Sequence, residues 1–204
     1  MNNLNQEITD IFDAVIDNNL SKICELIANG VNINQKHSHT RLTPLIQAIN
    51  LLHIEVIKLL IEVGADVHLY QYIQTTPLGL STSLGNLEIV KLLLQAGANP
   101  DLGGIDEPPL HRAVLIERVD IIKTLIEAGA NINHLNSSNF TPLMVAANNG
   151  KFEIVKFLVE TRRVYINATN QEGETALDKA IYWGYQEIID YLHPLTNLEL
   201  RQED

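Results

Sequence analysis

The sequence predicts an all-α solenoid of six helix–turn–helix repeats with short β-turn or loop fingers, and three observations carry that prediction. An opening motif recurs as Thr43-Pro44-Leu45, Thr76-Pro77-Leu78, Pro108-Pro109-Leu110-His111, Thr141-Pro142-Leu143 and Thr175-Ala176-Leu177. The steps between Pro44, Pro77, Pro109, Pro142 and Ala176 are 33, 32, 33 and 34 residues, and a fixed period of this size marks a repeat array. A closing motif recurs in register with it, as Val63-Gly64-Ala65-Asp66, Ala96-Gly97-Ala98-Asn99 and Ala128-Gly129-Ala130-Asn131. Between the motifs lie two short apolar stripes of helical spacing, and helices this short cannot bury their own apolar faces. Each unit needs neighbours like itself, and stacked units share one continuous core.

The clearest unit begins at Phe140. Thr141 can cap its first helix, and Pro142 suits the first helical position, where a missing N–H costs nothing. Leu143, Ala146 and Ala147 share one face at i, i+3 and i+4. Gly150 permits the left-handed residue that ends the helix. Ile154, Val155, Leu158 and Val159 then form the stripe of a second helix. The same reading along the chain gives an N-terminal extension at 1–8, then repeats at about 9–41, 42–74, 75–106, 107–139, 140–173 and 174–193. Pro194 is expected to stop the last helix, leaving 194–204 as a C-terminal tail.

The repeats depart from the pattern in defined places. In the first, Asp10 replaces the proline and still suits the positive end of a helix, while Asn18 stands at the turn glycine, a conformation Asn tolerates. In the second, Leu52 occupies the glycine position, where a bulky side chain is awkward. In the fourth, Pro108 replaces the capping threonine and Glu117 the turn glycine. The connection 34–41 is one residue longer than its counterparts, and 100–106 is one residue shorter. The fifth repeat closes irregularly at Thr161-Arg162-Arg163, without a glycine. Cys24 aligns with Lys58, Lys91, Lys123 and Lys156, a row expected to face outward.

Both motifs, and the period that relates them, resemble the ankyrin repeat with its T-P-L-H-x-A signature, and the resemblance covers nearly the whole chain. It implies a protein-binding module, an adaptor, scaffold or regulator, that uses a concave groove lined by the tips of the finger loops and the inner face of the first helices. The first-helix positions just before the turn are Ile16 and Asp17, Asn50 and Leu51, Ser83 and Leu84, Leu115 and Ile116, Asn148 and Asn149, and Tyr182 and Trp183. Finger positions include His37, His39, Tyr70, Tyr72, Ile73, Leu102, Ile105, Asn136, Ser137, Asn170 and Gln171. The expected partner-binding set is the apolar part of these: Leu51, Leu84, Leu115, Ile116, Tyr182 and Trp183, with Tyr70, Tyr72 and Ile73 beside them. Contiguous exposed apolar surface marks interaction sites, with Tyr and Trp the usual anchors. The alternative is that several turn inward and pack between repeats, or that Trp183 shields the last repeat. The resemblance also gives His111 a structural role, a hydrogen bond between neighbouring repeats.

Other functions find less support. Net charge is −11, and no cluster of Lys and Arg exists to neutralise a phosphate backbone, so nucleic acid is not an expected partner. No apolar run approaches the length of a spanning helix, and the first residues lack the basic and apolar segments of a secretory signal. One cysteine cannot form an internal disulfide, which fits a reducing compartment; a cytoplasmic protein, monomeric when free, is expected. His37 and His39 lack the further ligands of a closed metal site, and 101–107 lacks the order of a calcium loop. Arg162 and Arg163 could hold an acidic or phosphorylated group, or be solvated. With no nucleophile–base pair and no phosphate loop, neither catalysis nor a cofactor is expected; the alternatives are an inhibitor that blocks a partner enzyme's site, or an unrecognised enzyme.

Overall fold

A computed structural model describes residues 10–69, 75–104 and 107–199. Among the described residues there are twelve helices and no strand. Chain contacts divide the protein into two compact units, Met1–Ile105 and Asp106–Asp204.

The first unit contains α1 (residues 10–16), α2 (Leu20–Ala28), α3 (Pro44–Asn50), α4 (Ile54–Glu62), α5 (Pro77–Ser83) and α6 (Leu87–Gln95). Each short first helix packs on its own second helix, α3 on α4 and α5 on α6, and like helices pack in rows, α3 on α5 and α2 on α4 on α6. The Thr43 and Thr76 hydroxyls accept hydrogen bonds from the N–H of Ile46 (3.3 Å) and Gly79 (3.0 Å), as the Thr-Pro motif predicts. Leu45, Ile49, Ile57, Leu60, Leu78, Ile89 and Leu93 are buried between the rows. His53 lacks a capping side chain for α4, and its Nδ1 donates instead to the Val15 carbonyl at 2.9 Å, tying the second repeat to the first.

The second unit contains α7 (Pro109–Leu115), α8 (Val119–Glu127), α9 (Pro142–Asn148), α10 (Phe152–Glu160), α11 (Ala176–Trp183) and α12 (Gln186–Glu199). It repeats the arrangement: α7 packs on α8 and α9, α9 on α10 and α11, and α12 on α10 and α11. Thr141 and Thr175 cap α9 and α11, whereas Pro108 offers α7 no side-chain cap. The fully buried His111 donates from Nε2 to the Phe140 carbonyl at 2.8 Å, the inter-repeat bond expected of it.

The turns between paired helices all require one left-handed residue. Gly85, Gly150 and Gly184 supply it, but so do Asn18, Leu52 and Glu117, at φ 52°, 58° and 58°. The irregular close of the fifth repeat follows the same rule, with Arg162 at φ 54° where other repeats use Gly30, Gly64, Gly97 and Gly129. Fingers are tight turns closed by backbone bonds from Asn136 N–H to the Phe140 carbonyl (3.0 Å) and Asn170 N–H to the Glu174 carbonyl (3.0 Å). The first finger closes from His37 N–H to the Leu42 carbonyl (2.8 Å), the wider span that its extra residue requires.

One expectation is corrected. Pro194 does not end the last helix: α12 continues through it to Glu199. An interior proline costs roughly 3 kcal/mol, but tertiary contacts hold the segment beyond it. Leu192 and Thr196 are buried, and Asn167 Nδ2 donates to the Thr196 carbonyl at 3.3 Å.

Two substitutions test this account by urea denaturation. Leu52 is about half exposed, so Leu52→Gly should relieve its left-handed strain and raise stability by about 1 kcal/mol. Leu143 is buried within the second unit, and Leu143→Ala should lower stability by about 2–5 kcal/mol. A midpoint that does not move in these opposite directions would contradict the turn and core assignments.

Candidate partner-binding surfaces

Each first helix of the first unit has about two turns, and its apolar residues face the core until the last residue. In α3, Leu45, Ile46, Ala48 and Ile49 are buried, while Asn50 and Leu51 are exposed. In α5, the buried Ser81 and Thr82 satisfy their hydroxyls by donating to the Leu78 carbonyl (2.9 and 2.8 Å), and Ser83 and Leu84 are exposed. In α1, Ile11, Phe12, Ala14 and Val15 are buried, and Asp13, Ile16 and Asp17 are exposed. Leu51 and Leu84 therefore present large apolar side chains, 38% and 46% exposed, as the sequence reading expects. Tyr70, Tyr72, Ile73 and Ile105 lie outside the described residues. Leu102 is exposed on a loop held against α5, where the Thr76 hydroxyl donates to its carbonyl at 2.6 Å. Gly79 is required there, because a Cβ would come within 1.9 Å of the Gly103 carbonyl oxygen.

In the second unit, Leu115 and Ile116 are half-buried, neither turned into the core nor free on the surface. Tyr182 and Trp183 are 76% and 54% exposed, and Ile181 beside them is 53% exposed. Their rings meet edge to face with centroids 5.0 Å apart. Trp183 Nε1 donates to Asn148 Oδ1 at 2.9 Å, so the indole is tethered to α9 with much of its ring in solvent. Two finger residues are placed otherwise than as free contact groups. Asn136 Oδ1 accepts from the N–H of Ser138 and Phe140, and Asn170 Oδ1 from the N–H of Glu172 and Glu174, so both amides build the finger itself. Ile181 and Tyr165, the latter 69% exposed, escaped the sequence reading; Tyr165 follows the irregular turn at 161–163, where the register of the motif is lost.

The polar clusters are ordinary surface chemistry. His37 stacks edge-on against Phe12 with centroids 5.0 Å apart, and His39 lies 5.9 Å from it. Among the described residues no group of three or more His, Cys, Asp or Glu could hold a metal ion. Cys24, Lys58, Lys91, Lys123 and Lys156 are exposed along the second helices. Lys58 bonds Glu55 at 2.9 Å and approaches Glu88 at 3.5 Å, and the Glu55 bond raises its pKa. The Glu174 carboxyl is held below its usual pKa, first by Lys179 and then by Asn170. Arg162 borders an open groove of about 590 Å³ between α10 and α12, lined mainly by Val159, Val164, Ile166, Tyr191 and Leu195.

Comparison with known proteins agrees with this architecture. Residues 11–103 and 109–203 match the family described as Ankyrin repeats (3 copies). The solved ankyrin repeat protein EF0377 superposes with a TM-score of 0.81 at 28% identity, over 91% of this chain and 97% of that one. An ankyrin repeat domain from Acinetobacter baumannii AYE gives 0.81 at 29% identity, over 89% and 95%. Among curated proteins, the NAD-capped RNA hydrolase NUDT12 of Homo sapiens is 41% identical over 61 residues, which is 30% of this chain and 13% of that protein.

The contrast between exposed anchors and finger-building amides is measurable. Tyr182→Ser should leave the unfolding free energy from urea denaturation within about 0.5 kcal/mol of wild type, because the residue is 76% exposed. Asn170→Ala should cost about 1–3 kcal/mol, because it strands two backbone N–H groups. Equal effects of the two would invert the assignment.

Proposed function

The chain belongs to the ankyrin-repeat family, and on that premise we propose that it is a protein-binding module, an adaptor, scaffold or regulator without catalysis of its own. Ankyrin repeats generally mediate protein–protein interaction, and the fold is typically non-enzymatic. The observation that supports the reading is the exposure of large apolar side chains at first-helix ends: Leu51 and Leu84 in the first unit, Tyr182 and Trp183 in the second. Aromatic residues of this kind are frequent interface anchors. Their helices are already ordered by the core, so binding costs little conformational entropy. Half-buried Leu115 and Ile116 would add contact at the margin, and Tyr70, Tyr72 and Ile73 enter the proposed surface on their sequence positions.

The similarity to the hydrolase spans too little of that protein to bring its activity here. A cytoplasmic setting and a monomeric free state are part of the proposal; for the first, the free, exposed Cys24 suits a reducing compartment. Among the described residues no helix is long and apolar enough to cross a membrane.

Affinity capture from native lysate tests the reading with wild type, Tyr182→Ser/Trp183→Ser and Tyr70→Ala/Tyr72→Ala. We expect a protein retained by wild type and lost from at least one variant whose circular dichroism is unchanged. Equal retention by all three would move the binding surface elsewhere. Substrate turnover by the isolated chain, with nothing captured, would overturn the module reading.

A further inference from the structure

We propose that the exposed ends of α1, α3 and α5 bind a cationic amphipathic helix, a partner segment that carries Lys or Arg along the border of its apolar face. The proposal rests on the protein-binding reading and names the chemistry of the partner for the first unit.

Leu51 and Leu84, 38% and 46% exposed, stand at the same position of their repeats, just before the left-handed turn residue; in the first repeat that position is Asp17, and Ile16, 50% exposed, lies one residue before it. The end of α1 is tied through the Val15 carbonyl to His53, the residue that starts α4 three positions past the end of α3, and α3 packs directly on α5. Helices in contact lie about 8–10 Å apart, so three successive ends span about 20 Å, the length of roughly thirteen helical residues. A partner helix of three to four turns would cover all three side chains.

Charge selects which helix. Asp13 and Asp17 are exposed on α1, three residues before and one after Ile16, and their i, i+4 spacing places both on one side of the helix. Among the described residues neither carboxylate makes an ion pair or a side-chain hydrogen bond. Asp17 stands just past the C-terminal end of α1, where the helix dipole disfavours a negative charge. Nothing on the neighbouring first helices offsets this: the basic residues of the unit are Lys22, Lys36, Arg41, Lys58 and Lys91, and none lies in α1, α3 or α5. They belong to the second helices and the first finger. The surface is therefore apolar with an unneutralised acidic border, and a helix with apolar residues flanked by Lys or Arg complements both features. An acidic segment would be repelled by the same border, and a nucleic acid backbone likewise.

The full chain is titrated into a fluorescein-labelled synthetic peptide of Leu and Lys at helical spacing, and into its Leu/Glu counterpart, with anisotropy as the readout. Wild type should bind the Leu/Lys peptide at least tenfold more tightly than the Leu/Glu peptide, and added salt should weaken it. Asp13→Asn/Asp17→Asn and Leu51→Ser/Leu84→Ser should each weaken binding at least tenfold. Glu62→Gln/Glu88→Gln removes the same charge from exposed positions on α4 and α6 and should change affinity less than twofold. Urea midpoints close to wild type show that each variant remains folded. Equal loss in the α4/α6 control would mean general attraction to an acidic protein and overturn the proposal, as would equal binding of both peptides or none of the Leu/Lys peptide. If a lysate partner is still captured when this test fails, only the cationic helix is overturned; if neither is bound, the module reading falls with it.

Discussion

A helix of seven residues cannot stand alone in water, and that constraint governs the molecule. The first helices α3, α5, α7 and α9 are each seven residues long, about two turns, too short to recover the cost of nucleation from their own hydrogen bonds. Their order comes from outside. Thr caps and first-turn prolines lower the cost of starting each helix, and burial between rows of like helices supplies the rest. Side chains of one repeat also complete the backbone of the next. His111 bonds the Phe140 carbonyl, the Asn34 side chain accepts from the Asp66 N–H, and that of Asn133 from the Tyr165 N–H. These bonds satisfy irregular backbone that a lone repeat would leave to water.

The turns show how firmly this order is imposed. A left-handed residue is needed after every first helix, and the chain supplies it even from Leu52 and Glu117. Each costs on the order of 1–2 kcal/mol relative to a relaxed residue. Such positions persist because stacking leaves the connection no other path, and His53 anchors the end of the turn after Leu52.

The fold was legible because its period is written in residues that have few substitutes: Pro at a helix start, Gly at a left-handed turn, Leu facing the core. Where a substitute stands in, as with Asn18 and Arg162, the geometry is preserved and only the signature is lost. Other features were hidden for physical reasons. Pro194 reads as a helix stop by local propensity, but packing of α12 and the bond from Asn167 carry the helix past it. Asn136 and Asn170 can face a partner or their own turn, and spacing does not choose between these; hydrogen bonding does, inward. The exposure of the first-helix ends was legible only in part. Leu51, Leu84, Tyr182 and Trp183 emerge from their helices as expected, whereas Leu115 and Ile116, at equivalent positions, are half covered.

That arrangement separates core residues from solvent-facing ones within a single short helix. In α3 the residues up to Ile49 make the core, and Leu51, after the last helical turn, faces solvent. A side chain at this position can change without opening a cavity, while its backbone stays fixed by the buried turn that precedes it. In a stack whose units contact only their neighbours, each repeat can carry a different residue there at little cost to the whole. The first unit joins this freedom to an acidic border at Asp13 and Asp17, which would guide encounter over a longer range than its apolar contacts. On the proposed reading, apolar area would set how tightly a partner is held, and the carboxylates which partner arrives.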